Sequence, residues 1–181
     1  MEYKAYAANG DDKAPESIQK QMTELAQFLD REGFVLRTNG SKVVGTAFEL
    51  GSNNKEIYLP WNKFNDKTSK FNKVGADAME LSAKFFPRFK EIKEVAQKIT
   101  AVNAYMVLGS NLRDPVKFLV VWTPDGAETT DKVNARTTGF TAQSIKIACA
   151  SKIPVFNLHN QDALQRCKDY AVTVQGITLD F

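Results

Sequence analysis

Residues 118–158 read FLVVWTPDGAETTDKVNARTTGFTAQSIKIACASKIPVFNL, and this stretch decides the fold class. An apolar strand opens it, a turn containing Gly139 leads into a helix, and a second apolar strand ends at Asn157. That order predicts a parallel β-α-β crossover. In such units a ligand lies outside the carboxyl ends of the strands, where the N-terminus of a helix attracts an anion. The stretch therefore predicts a pocket suited to a nucleotide.

The bulk composition favours a single cytoplasmic domain that covers residues 1–181. The chain has 181 residues, of which 43% are hydrophobic, and this is enough to bury one sizeable core. It has no apolar run near the ~18 residues of a membrane span. Its first residues do not form a basic region followed by an apolar one, so we expect no membrane association and no secretion.

Cysteine spacing argues against a disulfide framework and a metal site, and the net charge gives no support of its own to nucleic-acid binding. Cys149 and Cys167 fall in two predicted helices without metal-ligand spacing, so the sequence predicts neither a disulfide framework nor a metal site. The net charge of +3 is too small to indicate nucleic-acid binding by itself, because such binding needs clustered cations.

Strands alternate with helices along the rest of the chain. The predicted strands cover residues 3–8, 34–38, 56–60, 118–122 and 155–157, with a short one expected in the tail, 172–181. The Asn9-Gly10 pair is expected to break the first strand, and Pro15 to begin a helix that ends at Gly33. Further helices are expected from about residues 43, 76, 89, 141 and 163. This alternation predicts a Rossmann-like, doubly wound α/β fold with a mainly parallel sheet flanked by helices.

A polar and basic segment, residues 61–74, interrupts the alternation and is expected to be a surface loop or a lid. Its lysines alternate with aromatic residues, a mixture that single-stranded nucleic acid or a nucleotide base can use. The alternative is a solvated loop whose aromatic rings pack back onto the core. The residues concerned are Lys63, Lys67, Lys70 and Lys73 with Trp61, Phe64 and Phe71.

Several turn residues have both a structural and a ligand-binding interpretation. Turn chemistry alone explains them, but their common position at strand carboxyl ends favours ligand contacts. They are Asn9, Gly10, Thr38, Asn39, Gly40, Gly139 and Thr141.

Other polar and aromatic residues are equally open to two interpretations. Asp11 and Asp12 either complement a helix dipole or bind Mg²⁺. Asn103, on an apolar helix stripe, either contacts the ligand or bonds a neighbouring segment. Glu49 is either solvated or a ribose ligand.

Aromatic residues at strand ends are candidates for stacking on a purine. Trp61 follows Pro60 at the end of one predicted strand, and Trp122 ends another. His159 is the only histidine and lacks a nearby serine or cysteine signature, so we expect it to be structural or exposed.

The motifs, taken in order, resemble the SLOG superfamily. The resemblance is strongest to phage and bacterial members related to the Rossmann-like domain of DNA-processing protein A, and it spans nearly the whole chain. The matching segments are YAANG at 6–10, LRTNG at 36–40, AFELG at 47–51, KEIYLPW at 55–61, Asn103 with VLG at 107–109, WTPDG at 122–126, GFTAQSIKIA at 139–148 and IPVFNL at 153–158.

The chain departs from the family pattern in its loops. The first loop usually reads Gly-x-Gly-Ser-Arg, whereas residues 8–12 read ANGDD, and the second loop keeps one of three glycines. In the last loop Phe140 and Ala142 replace glycines, and each added Cβ narrows the space that a pyrophosphate needs. Related phosphoribohydrolases, which are lysine-decarboxylase-like, end this loop with a glutamate that assists cleavage, and Lys146 stands there instead.

The resemblance implies a non-catalytic domain that binds a nucleotide or nucleotide-derived signal, and in a phage it would sequester a host defence signal in the host cytoplasm. The alternatives are a single-stranded DNA-binding recombination module and a nucleoside-monophosphate phosphoribohydrolase using Glu49 or Asp11. The family also implies a homo-oligomer. We expect no catalytic residue, no metal and no cofactor. The predicted ligand-binding residues are Ala8, Asn9, Gly10, Asp11, Thr38, Asn39, Gly40, Ser41, Glu49, Trp61, Asn103, Trp122, Thr123, Gly139, Phe140, Thr141, Ala142 and Gln143.

Overall fold

The computed structural model describes residues 2–175, and a five-stranded parallel sheet lies at its centre. Its strands are β1 (Ala5–Gly10), β2 (Val35–Thr38), β3 (Lys55–Ile57), β4 (Leu119–Trp122) and β5 (Val155–Asn157), in the order β3-β2-β1-β4-β5. The helices are α1 (Glu16–Arg31), α2 (Val44–Gly51), α3 (Ala76–Phe85), α4 (Glu94–Leu108), α5 (Thr141–Ala150) and α6 (Ala163–Gln175). This architecture confirms the predicted Rossmann-like α/β fold, including the crossover from β4 through α5 to β5.

Helices cover both faces of the sheet. Successive residues of β1 alternate between two cores: Tyr6 packs with α1, α2 and α6, whereas Ala7 packs with α3, α4 and α5. Each fully buried large apolar side chain contributes about 1.5–3 kcal/mol through its removal from water. In residues 2–175, no helix combines the length and apolar character that a membrane span requires.

Helix α1 forms as its sequence predicts. Pro15 stands immediately before the first turn, and Met22, Leu25 and Leu29 are fully buried on one face. The chain then reverses at Gly33, whose φ of +80° is in the left-handed region that glycine tolerates.

The predicted turn at Asn9-Gly10 is wrong. Both residues belong to β1, where Asn9 pairs with Val121 and Gly10 with Trp122. A Cβ on Gly10 would lie 2.6 Å from the carbonyl oxygen of Trp122, so glycine is needed here for close strand pairing, not for a turn.

The structure shifts two other strand boundaries. Strand β3 ends at Ile57, and beyond it Tyr58 makes an isolated bridge to Phe71. Residues 172–175, expected in a strand, form the end of α6, because the helix continues past its buried residues Ala163, Cys167 and Ala171. Residues 176–181 lie outside the described part of the chain.

An ionic cluster around the buried guanidinium of Arg37 joins β2, β3 and the segment before β4. The Arg37 guanidinium donates to Glu56 Oε2 (2.9 Å), Asp114 Oδ2 (2.7 Å) and the Asp114 carbonyl oxygen (2.6 Å). The hydroxyls of Tyr3 and Tyr58 each donate to Glu56 at 2.7 Å. Burial and the Glu56 hydrogen bond raise the pKa of Tyr3 to about 12, against the opposing effect of Arg37. We call these five residues the Arg37 cluster.

Candidate functional site

The strand order reverses its direction of growth between β1 and β4, and a cavity of about 540 Å³ opens at the carboxyl edge of the sheet. Sheets of this kind bind ligands at such switch points. We call this space the switch-point cavity. It is lined by Gly10, Asp11, Asp12, Asn39, Ser41, Lys42, Phe64, Asn65, Ile99, Thr138, Gly139, Phe140 and Thr141.

The turn between β2 and α2 forms one side of the cavity. Ser41 Oγ accepts a hydrogen bond from the Gly45 backbone N–H at 2.8 Å and so caps the first turn of α2. Asn39 Oδ1 accepts from the Ser41 N–H at 3.3 Å. Gly40 has a φ of +72°, and a Cβ there would lie 2.4 Å from Leu59. This side is therefore held by turn chemistry, and Lys42 is exposed beside it.

The N-terminus of α5 forms the opposite side. Gly139 has a φ of +61°, and no side chain of residues 2–175 caps the first turn of α5. The Ala142 N–H is bonded to the Gly139 carbonyl oxygen at 3.1 Å, whereas the other N–H groups at this end, which carries the positive end of the helix dipole, face no side-chain acceptor in residues 2–175.

Asp125 fixes the loop that precedes this helix. Burial raises the pKa of its carboxyl, but hydrogen bonds from Thr138, Thr123 and Thr137 outweigh that effect and lower the pKa to about 2. The loop thus holds Thr138, a cavity residue, in place.

A chain of side-chain amides lies beneath the cavity, and we call it the amide network. Asn103 on α4 is its hub: its Oδ1 accepts from Asn39 (3.1 Å) and Asn9 (3.5 Å), and its amide donates to Gln143 Oε1 (3.3 Å). Asn9 also donates to Ser144 Oγ at 2.8 Å. Asn103 therefore bonds neighbouring side chains, and it does not line the cavity.

Two oxygens near this network lack partners. Asn9 Oδ1 and Thr38 Oγ1 are buried and accept or donate no hydrogen bond within the described residues. A buried polar atom without a partner costs about 1–3 kcal/mol.

Residues 61–73, which we call the wall loop, form a third side. The Lys67 ammonium contacts Glu49 Oε1 at 2.6 Å, Thr46 Oγ1 at 3.0 Å and the Ser41 carbonyl at 3.2 Å. Asn65 donates to the Gly40 carbonyl at 3.0 Å. The expectation of a solvated lysine is wrong for Lys67, because its ammonium replaces water with these oxygen partners.

Aromatic rings of the wall loop pack inward or on each other. The Phe71 ring lies 4.7 Å from that of Tyr58, and the Trp61 ring lies 5.1 Å from that of Phe64. Trp61 remains 38% exposed but does not line the cavity.

A second cavity, of about 610 Å³, adjoins the first. Gly139 and Phe140 line both cavities, and the Phe140 ring stacks on Phe86 at 6.2 Å. We call this space the apolar cavity. It is lined by Phe85, Phe86, Pro87, Arg88, Glu91, Ile92, Val133, Ala135, Gly139, Phe140, Ala142, Gln143 and Lys146.

The structure separates the predicted ligand residues into three groups. The switch-point cavity is lined by Gly10, Asp11, Asn39, Ser41, Gly139, Phe140 and Thr141, and the apolar cavity by Gly139, Phe140, Ala142 and Gln143. Neither cavity is lined by Ala8, Asn9, Thr38, Gly40, Glu49, Trp61, Asn103, Trp122 or Thr123.

The purine-stacking hypothesis for Trp122 is not supported by its position. Trp122 is 7% exposed and packs in the core formed with α1 and α6, on the same face as Phe118 and Val120. Thr123, next along the chain, is fully buried and bonded to Asn157 and Asp125. His159 is exposed beside the Trp122 ring.

Some cavity residues were not predicted. Lys42 directly follows Ser41, the last of the predicted residues in this turn, so its place in the turn was a usable signal. Thr138 likewise precedes Gly139. Phe64 belongs to the segment of alternating lysines and aromatic residues, for which a base contact was one of two interpretations. Asn65 and Ile99 reach the cavity through the packing of the wall loop and α4, for which the local sequence has no signal.

Asp11 acts in the turn before α1. Its Oδ1 accepts a hydrogen bond from the Lys13 N–H at 2.8 Å, which closes a local turn. Over residues 2–175, the His, Cys, Asp and Glu side chains form no group of three or more that could hold a metal ion.

Comparison with known proteins supports the fold. No protein-family model matches the chain, and no curated protein matches it. The solved structure of the Chlamydomonas rheinhardtii Moco carrier protein is similar, with a TM-score of 0.50 and 16% sequence identity, over 98% of this chain and 87% of that one. The molybdenum cofactor binding protein from the phototrophic bacterium Rippkaea orientalis gives a TM-score of 0.44 and 14% identity, over 97% and 99% of the two chains. At 16% identity the likeness to the Chlamydomonas protein shows a shared α/β fold, while membership of the branch around DNA-processing protein A stays a prediction.

Proposed function

We propose that the chain binds a phosphate-bearing small molecule in the switch-point cavity and does not turn it over. One observation carries the proposal: the turns after β1 and β2 line the same cavity as the N-terminus of α5, which no side chain in residues 2–175 caps. Unpaired backbone N–H groups and the helix dipole favour an anion at this position.

The charges of the cavity favour a nucleotide-like molecule over a bare polyanion. Lys42 is the cation among the lining residues, and Asp11 and Asp12 lie opposite the favourable helix end. Two carboxylates repel a highly charged ligand, but they accept hydrogen bonds from sugar hydroxyls. In a molecule that joins a phosphate to a hydroxyl-bearing group, the phosphate can contact the helix end and Lys42 while the hydroxyls donate to the two carboxylates.

The position of Glu49 supports binding without cleavage, and of the two carboxylates named for a hydrolase only Asp11 lines the cavity, where its Oδ1 already accepts from the Lys13 N–H. Glu49, the candidate ribose ligand or acid, is held by Lys67 at 2.6 Å and does not line the cavity. Lys146, which replaces the glutamate of related hydrolases, lines the apolar cavity. Base release needs a carboxylate within hydrogen-bond reach of the bond that breaks.

Two groups of ligands belong on a test panel. The first is nucleotide-derived signals, either NAD-derived or cyclic nucleotides, whose capture would make the chain a sponge if a phage encodes it. The second is the molybdenum cofactor, a phosphate-bearing pterin, because the Chlamydomonas protein of similar fold carries it. The likeness in fold is a reason to test this ligand, and it is not evidence that the chain binds it.

Isothermal titration calorimetry against this panel tests the proposal, with chromatography of the recovered ligand. We expect intact ligand to be recovered. Lys42→Gln should weaken binding by about tenfold, since a charged hydrogen bond contributes about 1.5 kcal/mol or more. Asp12→Asn should strengthen it by removing repulsion. Lys20→Gln, an exposed lysine on α1 away from the cavity, is the matched control.

Three results would count against the proposal. Recovery of cleaved product would indicate a hydrolase. Affinity for single-stranded DNA that falls steeply with salt would favour a recombination module, because displaced counterions determine that slope. Equal affinity of the Lys42→Gln and Lys20→Gln variants would exclude this cavity. Light scattering on the same samples tests the proposed homo-oligomer.

A further inference from the structure

Phe140 is an exposed aromatic residue between two cavities. It is 60% exposed although it begins a helix that is otherwise well packed, and its ring stacks on Phe86. The switch-point cavity lies on one side of it, and the apolar cavity on the other. An exposed aromatic ring shared by two adjacent cavities is a feature of ligand sites more than of ordinary surface.

We propose that the apolar cavity binds a flat heteroaromatic ring of the same molecule whose phosphate occupies the switch-point cavity. This inference rests on the proposed function, and it narrows the ligand class to phosphorylated compounds that carry such a ring. The phosphate and the ring would lie on opposite sides of Phe140.

The size and lining of the apolar cavity suit a ring. Its volume of about 610 Å³ falls within the usual range of small-molecule pockets. Phe86, Ile92, Val133 and Phe140 supply apolar surface, which favours the two faces of a planar ring.

Polar groups at the edge of the apolar cavity favour a heteroaromatic ring, which carries nitrogen or oxygen atoms, over a hydrocarbon ring. Lys146 lines the cavity and forms no salt bridge with any residue in 2–175, so its ammonium is available to ring nitrogen or oxygen atoms. Arg88 and Glu91, paired at 2.6 Å, stand at the rim. A ring with both acceptors and donors on its edge matches these groups.

Gly139 allows one molecule to reach both cavities. No heavy atom lies within 4 Å of the position that a Cβ on Gly139 would occupy. The space over this residue is therefore open, and Gly139 lines both cavities. A linker between ring and phosphate can cross here against bare backbone.

Amide chemical shifts in ¹⁵N-labelled protein test the inference with three kinds of probe. Adenosine and neopterin carry a ring without phosphate, pyrophosphate carries phosphate without a ring, and ADP carries both. We expect the ring probes to shift the amides of Phe86 and Ala142, and pyrophosphate to shift those of Lys42 and Thr141. ADP should shift both sets and bind about tenfold more tightly than adenosine.

Filling the apolar cavity provides the matched variant. Ala135→Trp adds a large side chain at an exposed lining position, so the fold should tolerate it. It should abolish the adenosine and neopterin shifts and leave the pyrophosphate shifts at Thr141 unchanged. Ala76→Trp, at an exposed position on α3 that lines neither cavity, is the control.

The outcomes separate the two proposals. If pyrophosphate shifts Lys42 and Thr141 while both ring probes leave Phe86 and Ala142 unchanged, the ring site is refuted and the phosphate site stands. If the ring probes bind as expected and pyrophosphate does not, the phosphate site fails and the two-part ligand with it. If no probe shifts any of these amides, both proposals fail.

Discussion

The Arg37 cluster and the amide network each centre on a buried polar side chain beside the central strands, Arg37 and Asn103, yet they differ in how completely they are bonded. In the Arg37 cluster the guanidinium meets two carboxylates, and the Tyr3 and Tyr58 hydroxyls donate to one of them. In the amide network Asn9 Oδ1 is left without a partner in the described residues.

This difference indicates what each region does. A charged group that is fully hydrogen-bonded resists exchange with water and joins the strands it contacts. The neutral amides lie under the switch-point cavity, where an unsatisfied oxygen leaves bonding capacity next to the place proposed for a ligand. We therefore interpret the first region as structural and the second as support for the site.

Breaking the Arg37 cluster should have the largest effect. Arg37→Met removes the only cation of the cluster and leaves Glu56 and Asp114 without it, so we expect a loss of about 3 kcal/mol in the free energy of unfolding. Urea denaturation measures this loss. Arg113→Met, at an exposed position, should change stability by less than about 0.5 kcal/mol. Equal effects of the two variants would show that the cluster is not structural.

Removing the hub of the amide network should cost less. Asn103→Leu leaves Asn39 and Gln143 without their bonds, and we expect a loss of about 2 kcal/mol. The matched control is Thr100→Val, because Thr100 is equally buried on α4 and bonds only its own helix, at Ala96. A control that costs as much as the hub variant would contradict a role for the network.

Alkaline pH should act on one cluster and not on the other. The pKa of Tyr3 is raised from 10.0 to about 12 in the folded state, so its contribution is complete below pH 10 and is lost as the pH rises towards 12. Tyr3→Phe should reduce this alkaline loss, as measured by urea midpoints from pH 8 to pH 11. The deficit of Asn103→Leu should stay constant over that range, because amides do not titrate.

The smallest effect is expected for Thr38→Val. The Thr38 hydroxyl is buried without a partner in the described residues, and valine has nearly the same shape. Replacing an unpaired hydroxyl removes its desolvation cost, so the free energy of unfolding should rise by about 1 kcal/mol, the lower end of that cost. Differential scanning calorimetry measures the change. A loss above 1 kcal/mol in the free energy of unfolding would show that the Thr38 hydroxyl makes a hydrogen bond after all.

Local sequence patterns were sufficient for the fold. The β-α-β order in residues 118–158 and the apolar stripe of α1 depend on short-range periodicity, and both form as expected. The predicted turn at Asn9-Gly10 was wrong because a glycine that permits close strand pairing has the same local sequence pattern as one that permits a turn.

The site was harder to predict, for two different reasons. The burial of Trp122 could have been predicted from the sequence, since the alternation of side chains along a strand places it on the same face as Phe118 and Val120. The contributions of Asn65 and Ile99 could not be predicted, because they depend on how the wall loop and α4 pack against the sheet. The pairing of Glu49 with Lys67 likewise joins segments that no periodicity relates.

That pairing has a kinetic consequence. The wall loop contains three residues in the left-handed region, Lys63, Asn65 and Asp66, and its secondary structure is a single 3₁₀ turn, Phe64–Asp66. The side chains of Lys67 and Glu49 are only 15% and 14% exposed, so salt screens their attraction weakly. The contribution of this ion pair to the rate at which this side of the cavity opens should therefore vary little with ionic strength.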